Sequence, residues 1–199
     1  GIIGTEASAK ATPDGYTISW TTTSAFVFNS FLQKSLPYDA LRDFAPITNV
    51  GDIPMAVMVH SSVPANNVRE FVEFAKKNRG KLSFGSFGTG SLPQLYGESI
   101  NKAAGIDLLH VPFKGAAALV TDFVAGRVEA TYISIGSVVQ HWKTGKVKVI
   151  AIASPKRHSA LPDLPTLNED LPSVELLANW MGYVAPVQVP RPIIRSEEH

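Results

Sequence analysis

Along most of the 199-residue chain the apolar positions alternate between two periods. Lys81–Phe84 switches polar and apolar as a short strand does. Beyond it Leu92, Leu95, Tyr96, Ile100 and Ala103 keep helical spacing, Ser91 and Gln94 form an S-x-x-Q capping box, and Gly105 supplies the stop. Met55–His60 is the near-continuous apolar run of a central or crossing strand. Asn67-x-x-Glu70 is a second capping box; it opens a helix with Val68, Phe71, Val72 and Ala75 on one face and Gly80 beyond its end. Leu108–Val111 then reads as a strand, Ala116–Ala125 as a helix and Val128–Ile133 as a strand. A third box, Ser137-x-x-Gln140, starts a helix that ends at Gly145, and Val147–Ala153 is a further strand. Strands separated by helical stretches predict an α/β fold with a parallel sheet and right-handed crossovers.

The remainder is less regular. Ile2–Lys10 reads as a short helix halted by the turn Pro13-Asp14-Gly15, and Tyr16–Trp20 as a strand. After Thr21-Thr22-Thr23-Ser24 the stretch Ala25–Leu32 is helical in pattern, with Ser24 as candidate N-cap. Tyr38-Asp39 and Asp43–Pro46 bracket an irregular segment before the strand Ile47–Val50. From Ser154 prolines punctuate the chain, and Trp180–Pro186 is the last strand candidate.

In parallel sheets ligands sit beyond the carboxyl ends of the strands. Three such loops, 85–91, 112–115 and 134–137, carry Gly, Ser or Thr. The first, Gly85-Ser86-Phe87-Gly88-Thr89-Gly90-Ser91, joins a strand to a helix N-terminus. Its glycines let an anion approach backbone N–H groups at a positive dipole end, so it is a candidate carboxylate- or oxyanion-binding loop. Its letters exclude two alternatives. Ser91-Leu92 stands where a P-loop needs Lys-Ser/Thr, and the glycine order is not that of a dinucleotide site. No G-x-S-x-G elbow surrounds any serine. A tight turn that holds no ligand fits the same letters.

Composition narrows the classes. With 45% hydrophobic and 18% charged residues and a net charge of +1, the chain suits a globular protein without a nucleic-acid or membrane-surface footprint. Cysteine is absent, which removes disulfides, thiol nucleophiles and thiolate metal sites. No apolar run is long enough to span a membrane, and the sequence opens without a signal peptide. His60, His110, His141, His158 and His199 lack metal-ligand spacing, and Asp39 and Asp43 have no nucleophile or water site to serve. No cofactor or metal is implied.

An ordered series of motifs resembles one family. It comprises Ala11-Thr12-Pro13-Asp14-Gly15-Tyr16-Thr17, Tyr38-Asp39, Asp43-Phe44-Ala45-Pro46-Ile47-Thr48 and Gly85-x-x-Gly88-x-Gly90-Ser91. His110-Val111-Pro112-Phe113-Lys114-Gly115 and Gly145-Lys146-Val147 follow. Arg157, Leu161-Pro162-Asp163-Leu164-Pro165-Thr166-x-x-Glu169 and Trp180-x-Gly182 complete it. These resemble the Bug (TctC-like) extracytoplasmic solute receptors of tripartite tricarboxylate transporter systems. The resemblance implies a periplasmic-binding-protein-like fold, two lobes with a cleft between them. One lobe is expected over 62–178 and the other over 1–61 plus 179–199. Family members extend beyond both ends of this sequence, so the first lobe is expected to be incomplete. Ile133 stands where members often carry Asp, implying a different or less amine-bearing ligand.

On this resemblance the protein is a non-enzymatic periplasmic receptor that closes on a small carboxylated solute and delivers it to membrane-embedded transporter subunits. It would neither bind nucleic acid nor insert into the membrane. The expected ligand contacts are Thr22, Thr23, Ser24 and Ala25 from one lobe and Ser86, Phe87, Gly88, Thr89, Gly90 and Ser91 from the other, with Lys114 and Ser134. A ligand-sensing partner of a membrane signalling protein fits the same fold. An α/β acyl- or phosphoryl-transfer enzyme would need a nucleophile with an adjacent base, which spacing does not supply.

Overall fold

The computed structural model describes residues 1–196; His199 and its two predecessors lie outside the described residues. The chain divides into two compact units, residues 1–53 with 178–199, and residues 54–177. The first unit begins with α1 (Ile2–Ala9), β1 (Ser19–Thr22), a π-helical turn at Ser24–Phe28 that runs into α2 (Asn29–Leu32), and β2 (Phe44–Asp52). The second holds β3 (Met55–His60), α3 (Val68–Lys77), β4 (Ser83–Ser86), α4 (Leu92–Ala104) and β5 (Leu109–Pro112). It continues with α5 (Ala116–Val124), β6 (Ala130–Ile133), a 3-10 turn at Ile135–Ser137, α6 (Val139–Lys143), β7 (Val147–Ala153) and α7 (Leu167–Asp170). β8 (Trp180–Pro186) and α8 (Arg191–Ser196) belong again to the first unit.

In the second unit five strands lie in the order β5-β4-β6-β3-β7. β4 pairs in parallel with β5 and with β6, as the alternating pattern predicts. β3 departs from that expectation: it is antiparallel to both β6 and β7. It reaches the sheet directly along the chain rather than through a crossover helix, so nothing forces it parallel. Flanked on both sides, its residues Ala56, Val57, Met58 and Val59 are buried, which explains the unbroken apolar run. The pairing also puts residues 54–61 with the second unit, not with the first as the sequence suggested.

Helices cover both faces of this sheet. On one, α4 comes so close that a Cβ on Gly97 would run into the ring of Phe84. On the other, a Cβ on Gly85 would meet Leu119 of α5, part of a core with Met58, Phe123, Ile133 and Val147. Asn67 caps α3 as the sequence predicts, its Oδ1 accepting from Glu70 N–H at 2.8 Å, but the return bond of the box shifts by one residue: Glu70 Oε2 accepts from Asn66 N–H at 2.7 Å. The Ser137-x-x-Gln140 box does not form. Ser137 lies in the 3-10 turn and α6 starts at Val139.

The proline-punctuated segment is held by an ion pair. Arg157 donates through Nε to Glu169 Oε1 at 2.8 Å and through Nη1 to Pro162 O at 3.1 Å. Glu169 Oε1 also accepts from Thr166 N–H at 3.0 Å. The Arg157 hydrogen bond, then the Thr166 amide, pull the Glu169 carboxyl down to about 2.

The first unit is an antiparallel sheet in the order β1-β8-β2. β1 begins three residues later than the strand expected at Tyr16. Asp14 Oδ1 accepts from Tyr16 N–H at 3.0 Å, an Asx turn that keeps Tyr16 exposed outside the ladder. Pro46 has no N–H for the ladder, and β2 is bulged between Pro46 and Thr48. Gly182 on β8 faces this irregularity: a Cβ there would lie 2.7 Å from Thr48 O. Tyr38 donates to Ala25 O at 2.7 Å, and its ring packs with Phe44.

Two outcomes follow from this packing. Gly97→Ala should destabilise by about 1–3 kcal/mol through overpacking against Phe84, read as a lower urea midpoint. Helix propensity alone argues for a gain of about 1 kcal/mol, so an unchanged or raised midpoint would refute the close approach. The depressed Glu169 carboxyl stabilises the fold above its ordinary value near 4.3, and this contribution is lost as pH falls toward about 2. Arg157→Ala should flatten acid unfolding curves in that window.

Candidate functional site

The parallel register of β5, β4 and β6 aligns their carboxyl ends, and the loops at 86–91, 112–115 and 134–137 leave from that one sheet edge. The first two loops are joined directly, since Phe113 N–H donates to Ser86 O at 2.9 Å. The edge gathers Ser86, Phe87, Gly88, Thr89, Gly90, Ser91, Lys114 and Ser134. Thr22, Thr23, Ser24 and Ala25 belong to the other compact unit.

The glycine loop consumes part of its own hydrogen-bonding capacity. Ser91 is the N-cap residue of α4, but its hydroxyl donates to Gly88 O at 2.6 Å instead of accepting from the helix. Gln94 Oε1 reaches back one residue further than a capping box would, to Gly90 N–H at 2.7 Å. Gly88 N–H donates to Ser86 Oγ at 3.1 Å and Ser91 N–H to Gly88 O at 3.2 Å. Gly88 (φ 119°) and Gly90 (φ 80°) take the left-handed conformations that permit this winding. The amides of Phe87, Thr89 and Leu92 have no protein acceptor among the described residues. Leu92 is the first residue of the 13-residue α4, where unpaired N–H groups favour anions, and Thr89 and Phe87 lie in the loop that leads into it.

The neighbouring candidates differ in character. Lys114 is exposed, with no ion pair among the described residues. Ser134 Oγ lies 3.1 Å from Ser137 Oγ. Phe87 and Phe113 are half-buried against the core, while Tyr132 is wholly buried within it. In the first unit Thr23, not Ser24, stands before the π-helical turn, and neither hydroxyl caps it. Thr23 Oγ1 instead accepts from Trp180 N–H at 3.0 Å, which commits that hydroxyl to the β8 backbone.

His110 was not singled out as a site residue by its spacing. Its partner in the β4–β5 register is Phe84, on which its ring stacks at 5.1 Å, and its Nε2 lies 2.6 Å from Ser86 Oγ. Only strand pairing reveals this, because 24 residues separate the two. Burial lowers the His110 pKa, and the Glu98 charge partly opposes it. A serine beside a histidine is the start of a nucleophile–base pair, but Ser86 is fully buried. Its oxygen already accepts from Gly88 N–H, so no substrate carbonyl can reach it.

A family model described as the tripartite tricarboxylate transporter family receptor matches residues 1–198. The chain belongs to this family. Among relatives of this receptor family, the UPF0065 protein in the tcbD-tcbE intergenic region of Pseudomonas sp. (strain P51) is 35% identical over 98% of the chain. The periplasmic binding protein BugD superposes with a TM-score of 0.90 at 34% identity over 98% of the chain. Rpa4515 of R. palustris, solved with adipate, does so with a TM-score of 0.94 at 28% identity over 99%. The chain spans 58% of the length of the Pseudomonas relative, 65% of BugD and 66% of Rpa4515. These receptor-family matches are to solute-binding proteins rather than enzymes, with an α/β periplasmic-binding-protein fold. Among the described residues no helix is long and apolar enough to cross a membrane.

The Tyr132 hydroxyl is buried without a hydrogen-bond partner among the described residues. Tyr132→Phe should therefore leave the thermal midpoint unchanged or raise it. A fall equivalent to more than about 1 kcal/mol would reveal a hydrogen bond to that oxygen.

Proposed function

We propose that this protein is a periplasmic receptor that captures a small carboxylated solute and presents it to membrane-embedded transporter subunits. The observation that carries the reading is the set of uncommitted amides at Phe87, Thr89 and Leu92, in a chain of the tricarboxylate-receptor family. A carboxylate placed there accepts charge-assisted hydrogen bonds, each contributing about 1.5–3 kcal/mol. Three or four of these account for micromolar affinity, about −8 kcal/mol, without an arginine. The adipate held by Rpa4515 favours a dicarboxylate as the solute class. In this reading lobe closure brings Thr22, Ser24 and Ala25 to the second carboxylate, while Thr23 serves by fixing that turn to β8. Ser134 contributes a hydroxyl and Lys114 a long-range positive charge.

Titration calorimetry with four- to six-carbon dicarboxylates is expected to give saturable binding. Thr89→Pro deletes one donor at an exposed position and should weaken it about tenfold or more, with an unchanged circular dichroism spectrum. Lys114→Ala should cost only about two- to fivefold, and less as salt rises. A flat response to every dicarboxylate, or a Thr89→Pro protein that binds like the parent, would overturn the reading.

A further inference from the structure

Resting on the assignment of loop 86–91 as the carboxylate-holding loop, we propose that His110 is its positioning residue, fixing the Gly88 peptide through Ser86 and coupling carboxylate capture to proton uptake. The chain of contacts is short. His110 Nε2 lies 2.6 Å from Ser86 Oγ, and Ser86 Oγ accepts from Gly88 N–H at 3.1 Å. Gly88 O and Thr89 N–H share one peptide plane, so whatever holds Gly88 aims the Thr89 donor. Gly88 O is already held by Ser91 Oγ at 2.6 Å and Ser91 N–H at 3.2 Å. The Ser86 hydroxyl thus has two acceptors in reach, Gly88 O at 3.1 Å and a neutral His110 Nε2 at 2.6 Å, and the shorter contact takes its hydrogen while the imidazole is neutral.

Protonation reverses that bond. An imidazolium can only donate at Nε2, so Ser86 Oγ becomes its acceptor and the hydroxyl hydrogen turns to Gly88 O, 3.1 Å away. The Gly88 N–H bond survives either arrangement, so the loop keeps its shape while a positive charge appears two hydrogen bonds below the amides. A carboxylate in the loop then favours the charged imidazole, and by linkage the charged imidazole favours the carboxylate. The groups facing His110 fit a switch rather than a permanent charge. Phe84 of β4 stacks on it, and Glu98 of α4 supplies a negative charge; Tyr132 of β6, packed on Phe84 and itself buried, stays neutral. Burial beneath the Phe84 ring lowers the His110 pKa and so favours the neutral imidazole, which has a proton to gain.

The test uses adipate as probe and five proteins: the parent, His110→Phe, His110→Gln, Ser86→Ala and the double variant His110→Phe/Ser86→Ala. His110→Phe and Ser86→Ala should each weaken adipate binding about three- to tenfold. The double variant should be no weaker than either, because both break the same chain. His110→Gln, which can donate and accept, should recover binding to within about threefold of the parent. Parent affinity should rise as pH falls from 8 to 5, and this slope should vanish in His110→Gln. Multiplying losses in the double variant, or a slope retained without the imidazole, would overturn the proposal. A ligand-free measurement separates it from the assignment of the loop. The Gly88 amide resonance should titrate with the His110 imidazole in the parent and not in His110→Gln. A Gly88 resonance that ignores the imidazole refutes the latch even if adipate binds. One that follows it while no carboxylate binds leaves the latch standing and refutes the loop's ligand.

Discussion

The parallel pairing of β4 with both β5 and β6 is the constraint on which the candidate site depends. It places three loops at one edge, joins two of them through the Phe113 N–H to Ser86 O bond, and brings His110 beside Ser86. The helices press close on this middle strand because a glycine stands at each contact, on the strand at one face and on the helix at the other. Gly85 makes room for Leu119 on one face, and Gly97 makes room for Phe84 on the other. The glycines of this unit thus serve two ends: Gly85 and Gly97 allow close packing, and Gly88 and Gly90 allow the backbone to wind around its own donors.

What the sequence made legible followed from local physics. Helices α3 and α4 were visible because apolar spacing, a cap signal and a terminal glycine agree over ten or more residues, and α5 because Gly126 closes the stretch that starts at Ala116. The glycine loop was visible because its composition permits little else than a tight strand-to-helix turn. The direction of β3 was not legible, since an apolar run buried on both faces looks the same whichever way it points. Tyr16 misled as a strand start because its side chain has strand propensity while Asp14 turns the backbone under it. The capping boxes at Ser91 and Ser137 were right in letter and wrong in detail. In one, glycines offered Gln94 and Ser91 nearer partners. In the other, a 3-10 turn took up Ser137. The His110–Ser86 contact was beyond any spacing rule, because it exists only once two strands have paired.

Several of the family motifs prove to be scaffolding. Asp14 makes a turn, Tyr38 braces Ala25, and Arg157 with Glu169 pins a proline-rich segment. Asp43 Oδ2 accepts from Asp39 N–H at 2.7 Å, closing the irregular loop before β2. Gly182 lets β8 pass a bulge. The letters that carry the receptor assignment by eye are therefore largely those that hold the loops still. This is what the proposed site of main-chain amides demands, since amides have no side-chain flexibility with which to correct a misplaced backbone.

The place of β3 has a consequence for how the molecule is made. Its Met55–His60 run emerges from the ribosome ahead of both its partners, β6 and β7, and must stay unpaired until they are synthesised. An unpaired strand of this kind, with almost no polar side chain, invites premature association with other chains. Biogenesis in this fold thus includes an interval in which a strand of five apolar residues and one histidine waits for both of its neighbours.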